Sequence, residues 1–287
     1  MEEILVIFNP AARGDKAKRA LERIKRLPGC KLEPTAAAGD ARTIAKQAVT
    51  QGCRTIVAAG GDGTINDVVN GIAGANVNLG ILPVGTMNVF AAELGLPNDL
   101  GKAWKVIQKG HTRRIDLGRA NKTYFVQLAG VGLDAQVVEE TTWESKKSFG
   151  PFSYLISAAQ IAARKPPKLI AEAEGKTHEG SFVLVGNGRY YGGPLAFFKD
   201  ARIDDGKLDV LIFKNLGYLD LARYIATIIM GRHTDLSDVT YFQTSHVRVS
   251  SDEEVPVEVD GEVVGRLPVD FRISSRKLRV LVPEPPA

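Results

Sequence analysis

The sequence has few of the residues that build disulfide frameworks or zinc centres. Only two of the 287 residues are cysteines, Cys30 and Cys53, and the four histidines are scattered along the chain. Two cysteines are too few for a disulfide framework, and neither residue type shows metal-ligand spacing. We therefore predict reduced thiols in a cytoplasmic protein that has no zinc site.

Long hydrophobic runs and dense basic runs are also missing. No stretch of about 18 uncharged apolar residues occurs, so we predict no transmembrane segment. The N-terminus, MEEILVIFNP, starts acidic and has only a short apolar run, which indicates a first strand and not a signal peptide. The net charge is +4 without a Lys/Arg cluster, so nothing favours a nucleic-acid partner.

Two common nucleotide-binding fingerprints are absent. The chain has no Gly-x-x-x-x-Gly-Lys-Ser/Thr loop, which disfavours a P-loop enzyme. It also lacks Gly-x-Gly-x-x-Gly after its first strand, which disfavours a dehydrogenase.

The first part of the chain alternates strands with helices. Apolar runs predict strands, and apolar residues at helical spacing predict helices between them. The predicted strands are Ile4–Phe8, Lys31–Thr35, Thr55–Ala59 and Leu79–Leu82, and the predicted helices are Asp15–Leu27, Ala41–Thr50, Ile65–Ala73, Met87–Leu94 and Lys102–Lys109. This alternation predicts a three-layer α/β domain with a mostly parallel sheet.

The second half has the pattern of an antiparallel β-sandwich. Its predicted strands are Arg114–Arg119, Thr123–Leu128, Leu169–Ala173, Ser181–Val185, Leu208–Phe213, His246–Ser250 and Val255–Val259. Two helices, Phe152–Ala163 and Tyr218–Met230, are predicted within it. We predict domains at 1–118 and 119–275, and leave open whether the last strand, near 276–284, returns to the first domain.

Glycine-rich loops follow two of the buried strands. Gly60-Gly61-Asp62-Gly63-Thr64 leads into one helix, and Gly85-Thr86 leads into the next. Such loops let the backbone and a helix N-terminus approach a phosphate, although Gly-Gly-Asp-Gly alone is also found in tight turns. Asp62 would repel a bare phosphate, so we predict a magnesium ion between them.

Taken together with later motifs, these loops resemble the diacylglycerol kinase catalytic-domain superfamily, in its small bacterial lipid-kinase branch. The motifs occur in order along nearly the whole chain: Asn9-Pro10, GGDGTINDVVNG at Gly60–Gly71, GTMNVFAAELGLP at Gly85–Pro97, GVGLDAQV at Gly130–Val137, GNGRYYGGP at Gly186–Pro194, ARIDDGKLDV at Ala201–Val210 and VDGE at Val259–Glu262.

The resemblance implies roles for particular residues. ATP contacts are implied for Asn9, Thr35, Gly60, Gly61, Asp62, Gly63, Thr64, Ile65, Asn66, Gly85 and Thr86. Asp62 would help to hold the catalytic magnesium. A structural magnesium would bind the Asp205 side chain and the backbone carbonyls of Arg202 and Lys207. Glu262 would be the general base, with Asp260 as a rival.

The implied function is an ATP- and Mg²⁺-dependent lipid kinase that phosphorylates diacylglycerol or a related lipid alcohol. Such an enzyme would be cytoplasmic and peripheral at the inner membrane surface, where its lipid is presented; a homodimer is left open. Two departures from the family pattern are Asp67, where glutamate is common, and a cleft segment, Tyr190–Pro194, with fewer glycines. The second leaves the acceptor open.

Other interpretations remain open from the sequence. The chain could be a NAD or sugar kinase that shares the glycine loop, or a regulator that binds nucleotide or lipid without turnover. The apolar stretches Phe152–Ala163 and Leu216–Met230 could line an acyl cleft, enter a membrane interface, or simply pack on the sandwich.

Overall fold

The computed structural model describes residues 4–10, 14–140, 165–193 and 195–285. The chain forms two compact units. The first runs to Leu117, resumes at Ser274 and also contains Gly192 and Gly193. The second holds the described residues from Gly118 to Tyr191 and from Leu195 to Ile273. The predicted helix Phe152–Ala163 lies outside the described residues.

The first unit is built on one six-stranded sheet. Its strands are β1 (Ile4–Phe8), β2 (Cys30–Pro34), β3 (Thr55–Gly60), β4 (Asn78–Pro83), β5 (Thr112–Ile115) and, from the end of the chain, β20 (Leu278–Leu281). The spatial order is β2-β1-β3-β4-β20-β5, and all neighbours are parallel except β20 and β5.

Helices cover this sheet because its central strands are apolar on both faces. The helices are α1 (Gly14–Ile24), α2 (Asp40–Thr50), α3 (Asp62–Ile72), α4 (Val89–Glu93) and α5 (Leu100–Lys109). Alternate residues of β1, such as Val6 and Phe8, pack with Ile24 of α1 and Trp104 of α5 in one buried cluster. The predicted α/β fold with a mostly parallel sheet is confirmed.

The second unit contains two six-stranded antiparallel sheets. One has the order β10-β9-β16-β19-β6-β7 and the other β15-β14-β11-β8-β17-β18. The first consists of β6 (Gly118–Ala120), β7 (Thr123–Phe125), β9 (Leu169–Ala173), β10 (Lys176–Gly180), β16 (His246–Ser250) and β19 (Val269–Ile273). The second consists of β8 (Leu128–Val131), β11 (Phe182–Gly186), β14 (Leu208–Phe213), β15 (Val239–Thr244), β17 (Pro256–Val259) and β18 (Glu262–Arg266). A separate short hairpin joins β12 (Tyr190–Tyr191) to β13 (Leu195–Ala196).

Strand β14 shows how the sandwich is filled. Leu208, Val210 and Ile212 belong to the core shared by the two sheets, whereas Leu211 and Phe213 point to the opposite face. That outer face packs against α6 (Leu133–Glu140) and α7 (Tyr218–Ile229), and a 3₁₀ turn at His233–Asp235 follows α7. The predicted antiparallel sandwich is therefore confirmed, with every residue of β14 buried.

Several predicted elements differ from the structure. The single strand predicted at Arg114–Arg119 is divided into β5 and β6, which belong to different sheets. The strand predicted at Thr123–Leu128 is likewise divided into β7 and β8. Each break is only two residues long, Asp116-Leu117 and Val126-Gln127, and contains neither glycine nor proline, so the sequence pattern alone does not reveal it.

In the part of the chain that the structure describes, no helix is both long enough and apolar enough to cross a bilayer.

Candidate active site

Three neighbouring strands of the first unit end at the same edge of the sheet, so the segments that follow them begin close together. Strands β1, β3 and β4 are parallel, so their carboxyl ends lie together. The Asn9 amide donates to the Ala59 carbonyl at 3.1 Å, and the amides of Val84 and Gly85 donate to Gly60 at 3.1 and 3.2 Å. These bonds continue the sheet beyond its strands, which is where open α/β sheets bind ligands.

Glycine is required here because backbones approach each other closely. A Cβ on Gly85 would lie 2.5 Å from the Gly61 Cα, and one on Gly60 would lie 2.5 Å from the Thr64 Oγ1. Neither position has room for a side chain. The result is backbone that is half-buried at Gly61 and Gly85, between the ends of β3 and β4.

Helix α3 begins at Asp62 and not at the predicted Ile65, so most of the glycine loop is its first turn. Gly61 is the extended N-cap and has no side chain with which to cap the helix. The first intrahelical bond runs from the Ile65 amide to Gly61. The amides of Asp62, Gly63 and Thr64 therefore have no intrahelical acceptor, as is usual for a first turn, and such amides are suited to bind an anion.

Asp62 links this turn to the next helix. Its Oδ1 accepts a hydrogen bond from the Phe90 amide at 3.1 Å, at the start of α4. Burial raises the pKa of the Asp62 carboxyl, and backbone amides, chiefly those of Phe90 and Val89, oppose part of this rise. Asp62 is therefore both a capping residue for α4 and a negative charge close to the anion-binding amides.

The environment of Asp62 fits a magnesium ion whose ligands would be this carboxylate and the phosphates of a substrate. Among the described residues, no group of three or more His, Cys, Asp or Glu side chains could enclose a metal ion. Magnesium is commonly held by one or two carboxylates together with substrate phosphates. A single carboxylate at an anion-binding helix N-terminus matches that arrangement.

Three further residues of the first unit with implied ATP contacts are buried. Thr64 is buried, and its Oγ1 accepts from the Asn9 Nδ2 at 3.1 Å. The Ile65 side chain is fully buried in the core, so only its backbone could contact a ligand. Asn66 is also buried, and its Oδ1 accepts from Asn70 at 2.9 Å.

The last two positions follow β2 and β4, which β1 and β3 separate in the sheet. Thr35 is buried beside β1, and its amide donates to Phe8 at 2.9 Å. Thr86 is exposed on the loop after β4.

Asn88 is a site residue that the sequence prediction missed. It is buried in the left-handed conformation at φ 50°, and its Nδ2 donates to the Gly85 carbonyl at 3.1 Å. It thereby holds the loop between β4 and α4 in shape. Asparagine tolerates this conformation better than most residues, so its position directly before a predicted helix was the available signal.

In the second unit, Asp260 and Glu262 have different environments. The Asp260 carboxylate accepts hydrogen bonds from the amides of Val126, Gln127 and Leu128 at 2.9, 3.0 and 3.1 Å. Its backbone has φ 47°. Glu262 is exposed at the start of β18. Asp260 therefore fixes the turn, while Glu262 is the carboxylate that the turn presents.

A buried glutamate also accepts a hydrogen bond from this turn. Glu258 is fully buried in β17, and its Oε2 accepts from the Gly261 amide at 2.7 Å. The β17–β18 turn is thus held by two carboxylates, which makes the position of Glu262 well defined.

The predicted structural magnesium residues form a compact turn before β14. The Asp205 Oδ1 accepts from the Lys207 amide at 3.0 Å, and the Asp205 amide donates to the Arg202 carbonyl at 3.4 Å. Asp209, the second residue of β14, is buried. Burial raises the pKa of its carboxyl, and the charges of Asp205 and Asp200 add to that rise. One exposed carboxylate with backbone carbonyls is a donor set that fits an oxygen-ligated cation.

Comparison with known proteins identifies both parts of the chain. Residues 3–120 match the family described as "Diacylglycerol kinase catalytic domain", and residues 127–282 match "YegS C-terminal NAD kinase beta sandwich-like domain". The chain is 33% identical to a diacylglycerol kinase of Staphylococcus aureus (strain MRSA252) over 97% of this chain and 91% of that protein. It is 32% identical to a diacylglycerol kinase of Staphylococcus carnosus, over 97% and 94%.

A solved structure has the same fold. The crystal structure of a diacylglycerol kinase from Bacillus anthracis superposes with a TM-score of 0.81 at 27% identity, covering 98% of this chain and 97% of that one. The order of the two matched domains and the full-length similarity agree with the strand-end geometry, and the chain therefore belongs to the diacylglycerol kinase catalytic-domain family.

Proposed function

We propose that this protein is an ATP- and magnesium-dependent lipid kinase that transfers the γ-phosphate of ATP to the hydroxyl of diacylglycerol or a related lipid alcohol. The observation that carries the proposal is the first turn of α3. Its three amides have no intrahelical acceptor, and they lie beside Gly60 and Gly85, where there is no room for a side chain. This is an arrangement for binding phosphates through backbone.

The proposed nucleotide site uses the residues at the strand ends. Backbone amides of Asp62, Gly63 and Thr64 would bind the phosphates, with Asn9, Thr35, Gly85 and Thr86 around them. Asp62 would orient magnesium, which supplies charge neutralisation at the phosphates. Asn88 acts indirectly, by holding the loop that carries Gly85.

Glu262 is the proposed general base. The lipid hydroxyl oxygen forms a bond to the γ-phosphorus, and the bond from that phosphorus to the bridging oxygen breaks, so that ADP leaves. The hydroxyl proton passes to the Glu262 carboxylate. Asp260 is less suited to this role because three backbone amides already occupy its carboxylate.

A second cation is proposed at the turn before β14. There the Asp205 side chain and the carbonyls of Arg202 and Lys207 would bind a magnesium ion with a structural role. Its chemistry would be to fix the turn, not to act on the phosphates.

The test is a transfer assay with labelled ATP and magnesium. The acceptors are diacylglycerol, a sphingoid base, phosphatidylglycerol and a lipid extract, together with NAD and glucose, and products are identified by mass spectrometry. We expect a phosphorylated lipid. Transfer only to NAD or glucose would indicate the alternative kinases, and tight ATP binding without any transfer would indicate a non-catalytic regulator.

The Asp62→Asn variant tests the assigned site without removing its hydrogen bond. Asparagine keeps an oxygen for the Phe90 amide and removes the charge, so we expect a loss of at least ~100-fold in kcat with the fold retained. Asp99→Asn is the matched control, because Asp99 also caps a helix, accepting from the Lys102 amide at 2.9 Å. Full activity of Asp62→Asn would remove Asp62 from the mechanism.

A further inference from the structure

One face of α7 is apolar and exposed to solvent. Leu219, Ile229, Met230, Tyr218 and Ile225 are 87, 67, 64, 58 and 37% exposed. At 100° per residue, these side chains and the exposed Ala222 and Ala226 fall within about 140° of the helix circumference. A surface helix normally carries its polar residues on this face.

The opposite face of α7 is fixed to the sandwich, so the exposure does not come from a loosely attached helix. Tyr224 is buried against Phe182 and Phe213, with ring centroids 6.3 and 4.9 Å away. Its hydroxyl donates to Asp238 at 2.7 Å, and Arg223 also pairs with Asp238. The helix is thus apolar on both sides and anchored on one.

We propose that this exposed face of α7 is a membrane-docking surface that inserts shallowly among lipid acyl chains. Interfacial helices bury an apolar face at the boundary of headgroups and acyl chains, and the types of side chain on this face suit that depth. Tyrosine is favoured at the same boundary, since its ring is apolar and its hydroxyl reaches water. The reason for such a surface rests on the proposed function, because a lipid acceptor is presented by a bilayer.

The charges around α7 balance one another. No carboxylate occurs in the sequence from Leu221 to Thr234, whereas Arg223 and Arg232 do. Lys199 lies beside Gly231 at the end of the helix. Asp220, Asp235 and Asp238 are the nearby carboxylates, and each pairs with one of these arginines. The three cations at the edge of the apolar face are thus matched by three carboxylates, so docking to a bilayer rests on the apolar side chains and not on a net charge.

The size of the face argues against a second copy of the chain as its partner. The helix has 12 residues, so its exposed face is about 18 Å long and about 10 Å wide, or roughly 200 Å² in projection. A stable dimer buries about 800 Å² on each partner. Membrane insertion needs only a few apolar side chains, because its affinity grows with each one that enters the bilayer.

The test is binding of the full-length protein to vesicles without ATP. The vesicles are phosphatidylcholine alone or phosphatidylcholine with one quarter phosphatidylglycerol, and the variant is Leu219→Gln/Ile229→Gln. We expect wild-type protein to co-sediment with both kinds of vesicle, and the variant to bind each at least tenfold more weakly. Val264→Gln is the control, because Val264 is an exposed apolar residue of the same unit but on β18.

Two further measurements make the result decisive. Circular dichroism must show the same melting temperature for the variant and the wild type, since both substituted residues are exposed. Sedimentation velocity must show the same mass; a dimer that the double substitution dissociates would overturn the proposal. Equal vesicle binding by variant and wild type would also overturn it.

Failure of the docking surface and failure of the proposed function are separable. Vesicle binding is measured without nucleotide, so the result does not depend on whether any lipid is phosphorylated. Conversely, activity on a short-chain, water-soluble diacylglycerol should be equal in the variant and the wild type. An enzyme that phosphorylates this soluble lipid but never binds vesicles would retain the proposed function and lose the docking surface.

Discussion

Two carboxylates two residues apart, Asp260 and Glu262, have different environments. Asp260 accepts three backbone amides, so its charge is used inside the fold. Glu262 is exposed on the strand that follows. The two residues therefore form a matched pair in which stability and catalysis can be separated by the same type of substitution.

We expect Asp260→Asn to lower the free energy of unfolding by about 2 kcal/mol, because its amide group cannot accept all three hydrogen bonds. We expect Glu262→Gln to change stability by less than about 0.5 kcal/mol and to lower kcat by ~100-fold or more. Urea denaturation and the lipid transfer assay measure the two quantities. A stable but inactive Asp260→Asn, beside an active Glu262→Gln, would make Asp260 the base.

At the scale of elements, Asp238 decides how firmly α7 is attached. Burial alone would raise the pKa of its carboxyl, but hydrogen bonds from Tyr224, Arg223 and Asn215 outweigh burial and hold the pKa below its ordinary value. A carboxyl whose pKa is lowered in the folded state adds stability above its unfolded pKa of about 3.9. That stability is lost as the pH falls through this value and below.

We therefore expect Asp238→Asn to destabilise the protein at pH 7, and the difference from wild type to shrink as the pH falls from about 5 towards 3. Urea denaturation at several pH values measures it. The control is Asp235→Asn, since Asp235 is an exposed carboxylate in the same segment with a single ion pair to Arg232. A difference that stays constant across this range would show that the charge of Asp238 does not stabilise the fold.

The elements that sequence predicts best are those whose residue pattern matches their environment. Strands β1, β3 and β14 are short apolar runs and were predicted within about a residue of their bounds. Strand β10, Lys-Thr-His-Glu-Gly, was missed because it is polar and lies at the edge of its sheet, where one side needs no apolar residues. Propensity could not identify it, since edge pairing is decided by backbone hydrogen bonds.

The site shows the same division. The glycine loops can be recognised in the sequence because only glycine permits the contact between Gly61 and Gly85. The start of α3 at Asp62 was not, because a glycine N-cap and a glycine in the first turn make that turn look like a loop. The tasks of Asp260 and Asn88 depend on amides distant in sequence or on a single backbone angle, which no local pattern encodes.

At the scale of the whole molecule, β20 returns to the first unit and completes its sheet. It lies between β4 and β5, and Val280 is fully buried. We expect Val280→Asp to cost more than about 3 kcal/mol, because a carboxylate would be buried without a partner under the sheet's helices or between its strands. The unfolding transition of the first unit should move down by about 10 °C or more, measured by differential scanning calorimetry.

The matched control for this change is Val264→Asp, which places the same charge on an exposed strand position of the second unit. We expect its effect to stay within about 0.5 kcal/mol. Equal effects of the two substitutions would mean that β20 contributes little to the first sheet.

The place of β20 also has a consequence for synthesis on the ribosome. About 160 residues separate Ile115, where β5 ends, from Leu278, where β20 begins. At about 5–20 residues per second, the nascent first sheet waits roughly 10–30 s with a gap between β4 and β5. During that time the edge of β4 is unpaired and open to other extended chains. The unit that emerges first is therefore completed last, and slow translation of the second unit would lengthen the period in which the newborn chain is vulnerable to aggregation.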